Sequence, residues 1–196
     1  MDELKDKIHP LRKFLSLRLS VDDESWSRLE PQIKQQHFKR NDFLLKQGEV
    51  EKKIYFIESG IIRYFIQRGE DKEATFAIIF ENQLAGAYDS FLQQLPSEYF
   101  VQAIKPTVTW SFPIEVLQRL YMEVPIANTI GRITCEELFL IKAKRELSMY
   151  KYLPQERYLN LFSEKPRHIK EIPLKYLASY IGVTPQALSR IRKRIK

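Results

Sequence analysis

The sequence predicts an α+β fold, in which an antiparallel sandwich or small barrel is flanked by helices and followed by two further helical regions. Short runs rich in Ile, Phe, Tyr, Val and Thr, separated by polar or Gly-containing turns, occupy residues 32–113. Such runs are typical of antiparallel strands. Beyond Pro113 the apolar spacing becomes helical, and Gly182 divides two amphipathic segments near the C-terminus.

The first thirty residues are predicted to form two short helices. The second of them covers Asp22 to Leu29, with Ser20 as its predicted N-cap. The first is indicated by apolar residues at helical spacing, namely Leu4, Ile8, Leu11 and Leu15.

The middle of the chain has the composition of strands. The runs are DFLLKQGE, KIYFIESG, IIRYFIQRGEDKEATFAIIF, YFVQAI and TVTWSF. Gly48, Gly60 and Gly69 lie where the chain must turn between runs, and glycine tolerates the backbone conformations that tight turns use. Strands at this spacing favour an antiparallel sandwich or small barrel.

A long helix is predicted from Pro125 to Tyr150, where the only glycine is Gly131 and no second proline occurs. Its apolar residues recur mainly at seven-residue intervals, as Ile126, Ile133, Leu140 and Leu147, joined by Ile130. This spacing is typical of a helix that pairs with a second helix. About 25 helical residues span nearly 40 Å, which exceeds what a small domain usually covers. We therefore expect a homodimer, and the alternative is a helix packed on its own sandwich.

Positive charge is concentrated at the C-terminal end of the chain, whose net charge is +7. Residues 151–196 contain eleven Lys/Arg and three Asp/Glu, a net of +8. Residues 1–150 contain the remaining 21 basic and 22 acidic residues, a net of −1. Each Lys or Arg that neutralises a phosphate releases condensed counterions. The asymmetry favours a polyanion as partner, and the alternative is a solvated basic tail.

Cysteine content and hydropathy exclude several classes of protein. Cys135 is the only cysteine, so one chain cannot build a disulfide, a multi-thiolate zinc site or a Cys-ligated iron–sulfur cluster. The apolar run Phe76 to Phe80 is far shorter than the roughly 20 residues that cross a bilayer, and the N-terminus lacks a signal-peptide pattern. We expect a cytoplasmic protein with no membrane partner, no metal and no cofactor.

Residues 172–195 have the pattern of a helix-turn-helix. The first helix carries an apolar stripe made of Leu174, Leu177, Ala178 and Ile181. Gly182 can adopt the left-handed conformation of a tight turn between helices. Thr184 followed by Pro185 is an N-cap and first-turn pair that starts a second helix.

The second of these helices presents a polar face that suits DNA. Leu188, Ile191 and Ile195 point one way, which leaves amide, hydroxyl and cationic side chains on the other face. Arg can pair with guanine, Gln with adenine, and Ser with a base or a phosphate. We assign base reading to Gln186, Ser189 and Arg190. Contacts to the DNA backbone are assigned to Lys175, Thr184, Arg192, Lys193, Arg194 and Lys196.

The chain resembles the Crp/Fnr family of bacterial transcription regulators over nearly its whole length. The resemblance rests on the order of the segments, on the glycines in DFLLKQGE and IYFIESGIIRYF, and above all on LASYIGVTPQALSRIRKRI. It implies a cyclic-nucleotide-binding-like β-roll of jelly-roll type in residues 1–124, a dimerisation helix in 125–150 and a helix-turn-helix DNA-binding domain in 151–196. Double-stranded DNA, a second copy of the chain and RNA polymerase are the partners that follow from it.

The resemblance also locates a candidate effector pocket. Family members that bind cyclic AMP hold the ribose and phosphate with a Gly-Glu pair and a later Arg-Ser or Arg-Thr pair. In the matching residues 84–103 (LAGAYDSFLQQLPSEYFVQA), here called the cassette, Ala87 replaces the carboxylate, and Ser97 or Glu98 falls where the arginine belongs. Burying a phosphate without a paired cation is costly, so we do not expect cyclic-nucleotide dependence. An unknown small-molecule effector would be lined by Gly86, Ala87, Tyr88, Ser97 and Tyr99.

Other classes of function remain as alternatives. One is a small-molecule-binding or protein-interaction module with a degenerate DNA-binding domain, and another is a cyclic-nucleotide-responsive regulator with an unusual pocket. An enzyme built on a cupin-like sandwich would need three or four His or carboxylate ligands on its strands. The predicted strand region contains one histidine, His37. We therefore predict no catalytic residue.

Overall fold

The computed structural model describes residues 9–18, 20–69 and 72–195. The helices are α1 (Pro10–Ser16), α2 (Asp23–Leu29), α3 (Tyr88–Gln93), α4 (Ile114–Glu123), α5 (Pro125–Lys151), α6 (Pro154–Glu164), α7 (Pro166–Glu171), α8 (Leu174–Ile181) and α9 (Pro185–Ile195). The strands are β1 (Lys34–Phe38), β2 (Phe43–Leu45), β3 (Lys53–Ser59), β4 (Ile61–Gln67), β5 (Glu73–Phe80), β6 (Leu84–Ala85), β7 (Phe100–Ala103) and β8 (Thr107–Pro113). Leu4, Ile8 and Lys196, which the sequence predictions used, lie outside the described residues.

The strands form two four-stranded sheets. Their orders are β1-β8-β3-β6 and β2-β7-β4-β5. The pairs β1–β8, β3–β8, β3–β6 and β2–β7 are antiparallel. In the β3–β8 pair Ile54 lies opposite Phe112 and Phe56 opposite Trp110. The predicted antiparallel β core with many accompanying helices is confirmed.

The chain divides into two compact units. The first combines the residues up to Arg63 with Ile78–Glu136, and the second combines Tyr64–Ala77 with Glu137–Lys196. The core of the first unit draws on α1 to α4 and on strands β3 and β8. Its members are Leu11, Phe14, Trp26, Leu29, Ile54, Phe56, Phe91, Phe112, Ile114, Val116, Leu120 and Val124. Because apolar burial is the main favourable term in folding, this cluster fixes the helices on the β framework.

Helix α2 begins one residue later than predicted, and its N-cap differs from the prediction. The Ser25 N–H donates to Asp22 Oδ1 at 2.7 Å. An N-cap side chain accepts from the backbone two or three residues further on, so Asp22 is the cap. The prediction that Ser20 caps this helix is therefore wrong.

The turn between β3 and β4 depends on Gly60, which has a φ of +105°. A Cβ at this position would lie 2.6 Å from the carbonyl oxygen of Pro106 and 2.3 Å from the hydroxyl oxygen of Thr107. Left-handed backbone and close approach both favour glycine. The turn therefore holds β3 and β4 close to the start of β8.

Candidate functional sites: a nucleic-acid interface and an effector cassette

Helices α8 and α9 are joined by a tight turn centred on Gly182. This glycine has a φ of +84° and ends α8. The N–H groups of Gly182 and Val183 both donate to the Ala178 carbonyl oxygen at 3.0 Å. Such bonds satisfy carbonyls that a helix end leaves open. Ala178 and Leu188 are both fully buried, so the two helices pack together through these side chains.

Thr184 caps the start of α9, as the sequence predicts. The Ala187 N–H donates to Thr184 Oγ1 at 3.2 Å, and Pro185 is the first helical residue. The cap uses one lone pair of the hydroxyl oxygen, and Thr184 is exposed. Its hydroxyl hydrogen therefore remains able to donate to a phosphate.

The residues predicted to read bases lie on the solvent side of α9. Gln186 and Arg190 are exposed, and Ser189 is half-buried. On the opposite side Leu188 is buried and Ile191 and Ile195 are half-buried. The predicted backbone-contacting cations Lys175, Arg192, Lys193 and Arg194 are all exposed. The amphipathic division of α9 into an apolar face on α8 and a cationic face in solvent is thus present.

A serine on α8 bonds to the backbone of β5, a contact that the sequence does not predict. Ser179 Oγ donates to the Glu73 carbonyl oxygen at 2.8 Å and accepts from the Thr75 N–H at 2.8 Å. Both groups belong to the second unit. Because β5 lies at the edge of its sheet, Ser179 satisfies backbone groups that an edge strand otherwise exposes. Lys175 Nζ also lies 4.0 Å from Glu73 Oε2, a loose and exposed pair that contributes little.

Helix α5 carries the apolar stripe predicted to mediate dimerisation. It runs over 27 residues, none of which is buried. Ile126 packs partly against the core of the first unit, and Ile130 and Ile133 are half-buried. Leu140 and Leu147 are 66% and 65% exposed. The start of the stripe therefore packs on the chain's own core, and its second half is exposed to solvent.

A buried carboxylate lies against the cassette, supplied by a residue that the sequence reasoning did not single out. Glu51 is 1% exposed, and its Oε2 accepts the Ala87 N–H at 3.2 Å. Its Oε1 accepts the N–H groups of Lys52 and Lys53, each at 3.1 Å. Burial raises the pKa of Glu51, and the three backbone donors oppose that rise. A carboxylate thus lies beside Ala87, where the family pattern would place the side chain of a glutamate.

The remaining cassette residues bond within the first unit. Ser97 is buried, and its hydroxyl donates to the Tyr99 carbonyl oxygen at 2.9 Å. The Tyr99 hydroxyl donates to Asp89. The Tyr88 hydroxyl lies 3.1 Å from Cys135 Sγ on α5. Tyr88, Ser97 and Tyr99, which were predicted to line a pocket, therefore all have intramolecular partners.

Glu98 and Glu51 face opposite environments. Glu98, at the position where an arginine would hold a phosphate, is exposed, whereas Glu51 is enclosed. Of the two, Glu51 is the one whose carboxylate bonds to the cassette, through the Ala87 N–H.

Among the residues that the structure describes, no three His, Cys, Asp or Glu side chains come together as a group that could hold a metal ion. Within the same ranges, none of the helices combines the length and apolar character needed to cross a bilayer.

His168 is buried beside Tyr180, and burial lowers its pKa to about 4.

The middle of the chain matches a known family of domains. Residues 35–124 match the family of cyclic nucleotide-binding domains. The match begins at the second residue of β1 and includes the other strands and the whole cassette. No curated protein matches the chain in sequence.

Solved structures similar to this one are Crp/Fnr-type regulators, which confirms the resemblance predicted from the sequence. The c-di-GMP-responsive global regulator CLP of Xanthomonas campestris has a TM-score of 0.71 at 16% identity, over 89% of this chain and 91% of that one. FixK2 of Bradyrhizobium japonicum has a TM-score of 0.69 at 14% identity, over 83% and 84%. A structure from Eubacterium rectale assigned to the crp/fnr family has a TM-score of 0.69 at 17% identity, over 93% and 87%. At these identities the likeness is one of fold.

Proposed function

We propose that the chain is a homodimeric, sequence-specific DNA-binding transcription regulator that acts in the cytoplasm without a cyclic nucleotide. Its reading helix is α9, and Gln186, Ser189 and Arg190 are the residues that contact bases. Residues 151–196 form the DNA-binding region, residues 125–150 the dimerisation helix and residues 1–124 the β-roll. RNA polymerase is a further candidate partner, through which a bound dimer would act on transcription.

The observation that carries this proposal is the exposed cationic and amide face of α9. Arg190 and Gln186 project from a helix whose opposite side is anchored by the fully buried Leu188. Arg and Gln offer the paired donors and acceptors that distinguish guanine and adenine in the major groove. Eleven Lys/Arg against three acids in residues 151–196 supply the attraction to phosphate. An acidic or apolar face on α9 would favour a module with a degenerate DNA-binding domain, and the face of this helix is neither.

Dimerisation is supported by the open half of the α5 stripe. Leu140 and Leu147 fall on the seven-residue repeat and are largely exposed. Exposed apolar stripes of this kind are typical of helices that pair. Two chains paired along α5 would present two reading helices to successive major grooves about 34 Å apart, over a pseudo-palindromic site.

Independence from cyclic nucleotides is supported by the cassette. Ser97 or Glu98 stands where family members that bind cyclic AMP have an arginine. The Ala87 N–H already donates to the Glu51 carboxylate. We expect no thermal stabilisation by cyclic AMP or cyclic GMP, whereas a ligand present at a hundred times its Kd would stabilise by about 2.7 kcal/mol. A clear upward shift of Tm with either nucleotide would contradict this part of the proposal and favour a cyclic-nucleotide-responsive regulator.

Replacing Arg190 with alanine tests base reading. We expect specific binding to weaken by about 1–3 kcal/mol and the preference at one base position to relax, because a bidentate contact to a base is lost. The measurement is a selection from random DNA sequences with the purified protein, repeated with the variant.

Lys193→Ala provides the matched control on the same helix. Lys193 is assigned to backbone contact, so all sequences should weaken to a similar degree and the salt dependence should flatten, with the selected motif unchanged. If the wild-type protein enriches no motif, or if Arg190→Ala leaves the motif intact, the proposed function fails in favour of an inert module or another reading residue.

A further inference from the structure

Two arginines connect the dimerisation helix α5 to the C-terminal end of α8. Arg145, on α5, donates to the Tyr180 carbonyl oxygen. Its guanidinium carbon also lies 4.2 Å from the centroid of the Tyr180 ring. Arg157, on α6, donates through Nε to the Ile181 carbonyl oxygen at 2.9 Å. The last carbonyls of α8 are therefore held by two guanidinium groups from other helices.

Arg157 also bonds to the end of α5 itself. One of its terminal nitrogens donates to the Tyr152 carbonyl oxygen at 2.5 Å and lies 3.4 Å from the Met149 carbonyl oxygen. The last carbonyls of a helix lack partners within the helix, and a cation at that end is favoured by the helix dipole. A single side chain thus satisfies the C-terminal ends of both α5 and α8. We call Arg145 and Arg157, with the carbonyls they bind, the guanidinium clasp.

The clasp is partly sheltered from water, since Arg145 and Arg157 are both half-buried. Burial lowers the pKa of the Arg145 guanidinium and also that of Arg157. Tyr180, around which the clasp is built, is 5% exposed, and its hydroxyl accepts from Lys165 Nζ at 3.3 Å. Hydrogen bonds between a charged group and carbonyls are stronger in such surroundings than at the surface. The end of α8 is consequently fixed with respect to the second half of α5.

The position of α9 follows from the position of that end. Only Gly182, Val183 and Thr184 separate α8 from α9, and the turn is closed by the bonds to Ala178. The direction in which α9 leaves the turn is therefore set by the part of α8 that the clasp holds. Every element of this chain of contacts lies within the second unit.

We propose that Arg145 and Arg157 determine the half-site spacing that the dimer accepts, acting as positioning residues for the reading helix. This inference rests on the proposed function. In a dimer paired along α5, the distance and rotation between the two copies of α9 depend on how rigidly each is held on its own α5. Insertion of one base pair moves a half-site by about 3.4 Å and rotates it by about 35°. A rigid link rejects that change, and a loosened link tolerates it.

The experiment compares operators built from the selected motif with the half-sites at the preferred spacing and one base pair closer or further apart. The wild-type dimer is expected to discriminate against both altered spacings by about tenfold or more. In Arg145→Ala, Arg157→Ala and the double variant we expect this ratio to fall below about threefold, with the base motif unchanged. Affinity for DNA carrying a single half-site is measured in parallel and should stay near the wild-type value.

Lys144→Ala is the matched control. Lys144 lies next to Arg145 on α5 and forms an exposed ion pair with Glu164 of α6 at 3.0 Å. The substitution therefore removes one cation from the same pair of helices and leaves the bonds to α8 in place. Its spacing preference should remain that of the wild type. Arg145→Lys keeps the charge but loses the planar group that covers Tyr180, and we expect its discrimination to lie between those of the wild type and Arg145→Ala.

The outcomes separate the possible failures. If an alanine variant loses single-half-site binding because the reader unfolds, Arg145→Lys decides the question. Reduced spacing discrimination in Arg145→Lys would support the spacing proposal, and wild-type discrimination would overturn it. Undiminished discrimination in an Arg145 or Arg157 variant that retains wild-type half-site binding would overturn the spacing proposal and leave the proposed function standing. If the wild-type protein selects no motif, the proposed function fails, and the spacing proposal fails with it.

Discussion

Replacing Leu140 with glutamate is expected to convert the proposed dimer into a monomer and to weaken binding to a full palindromic site by about 10²–10⁴-fold, because the second half-site is no longer held at high effective concentration. Leu140 lies in the open half of the α5 stripe and is 66% exposed in the single chain. At a two-fold interface the substitution would bring two carboxylates together in an apolar setting, which is costly. The measurements are sedimentation equilibrium and binding to full and half operators.

Lys142→Gln is the control for this change. It also makes the net charge more negative by one, and Lys142 is exposed two residues further along α5, on a different face. It should remain dimeric and lose at most a small, salt-dependent part of its affinity. A Leu140→Glu protein that sediments as a dimer would show that the chains pair through another surface.

Replacing Gly60 with alanine is expected to destabilise the first unit by roughly 2–4 kcal/mol, through left-handed backbone strain together with steric overlap. The new Cβ would lie 2.6 Å from both the Pro106 carbonyl oxygen and Thr107 Cα, which are backbone atoms that cannot move aside cheaply. Denaturant unfolding of the wild type and the variant measures the difference.

Gly48→Ala separates the two causes. Gly48 also has a positive φ, +88°, but a Cβ there would meet no atom within 4 Å. It should therefore show the backbone cost alone, about 1 kcal/mol. Equal losses at the two positions would mean that the contact with Pro106 and Thr107 relaxes without cost.

Features of the chain that depend on local periodicity were predictable from the sequence. The apolar spacing predicted a helix from Pro125 to Tyr150, and α5 ends one residue later. The Thr184–Pro185 pair predicted the start of α9, where Thr184 caps the helix. These signals operate within one or two turns of helix, so the residues themselves contain the information.

Contacts between residues distant in sequence were not predictable in this way. The hydrogen bond between Ala87 and Glu51 and that between Thr75 and Ser179 join residues that share no periodic pattern. A seven-residue stripe also does not reveal what covers each part of it. Ile126 packs partly on its own core while Leu147 is exposed, although both belong to the same repeat. Only the three-dimensional arrangement distinguishes them.

The make-up of the two compact units has a consequence for dissecting the protein. Because the second unit takes Tyr64–Ala77 from the middle of the chain and Glu137–Lys196 from its end, the backbone passes between the units three times, after Arg63, after Ala77 and after Glu136. No single cleavage can release either unit intact. A fragment that ends before α5 would carry Thr75 without Ser179, its partner, and would expose a strand edge open to pairing with other chains. The protein is therefore best studied with point substitutions in place of truncations.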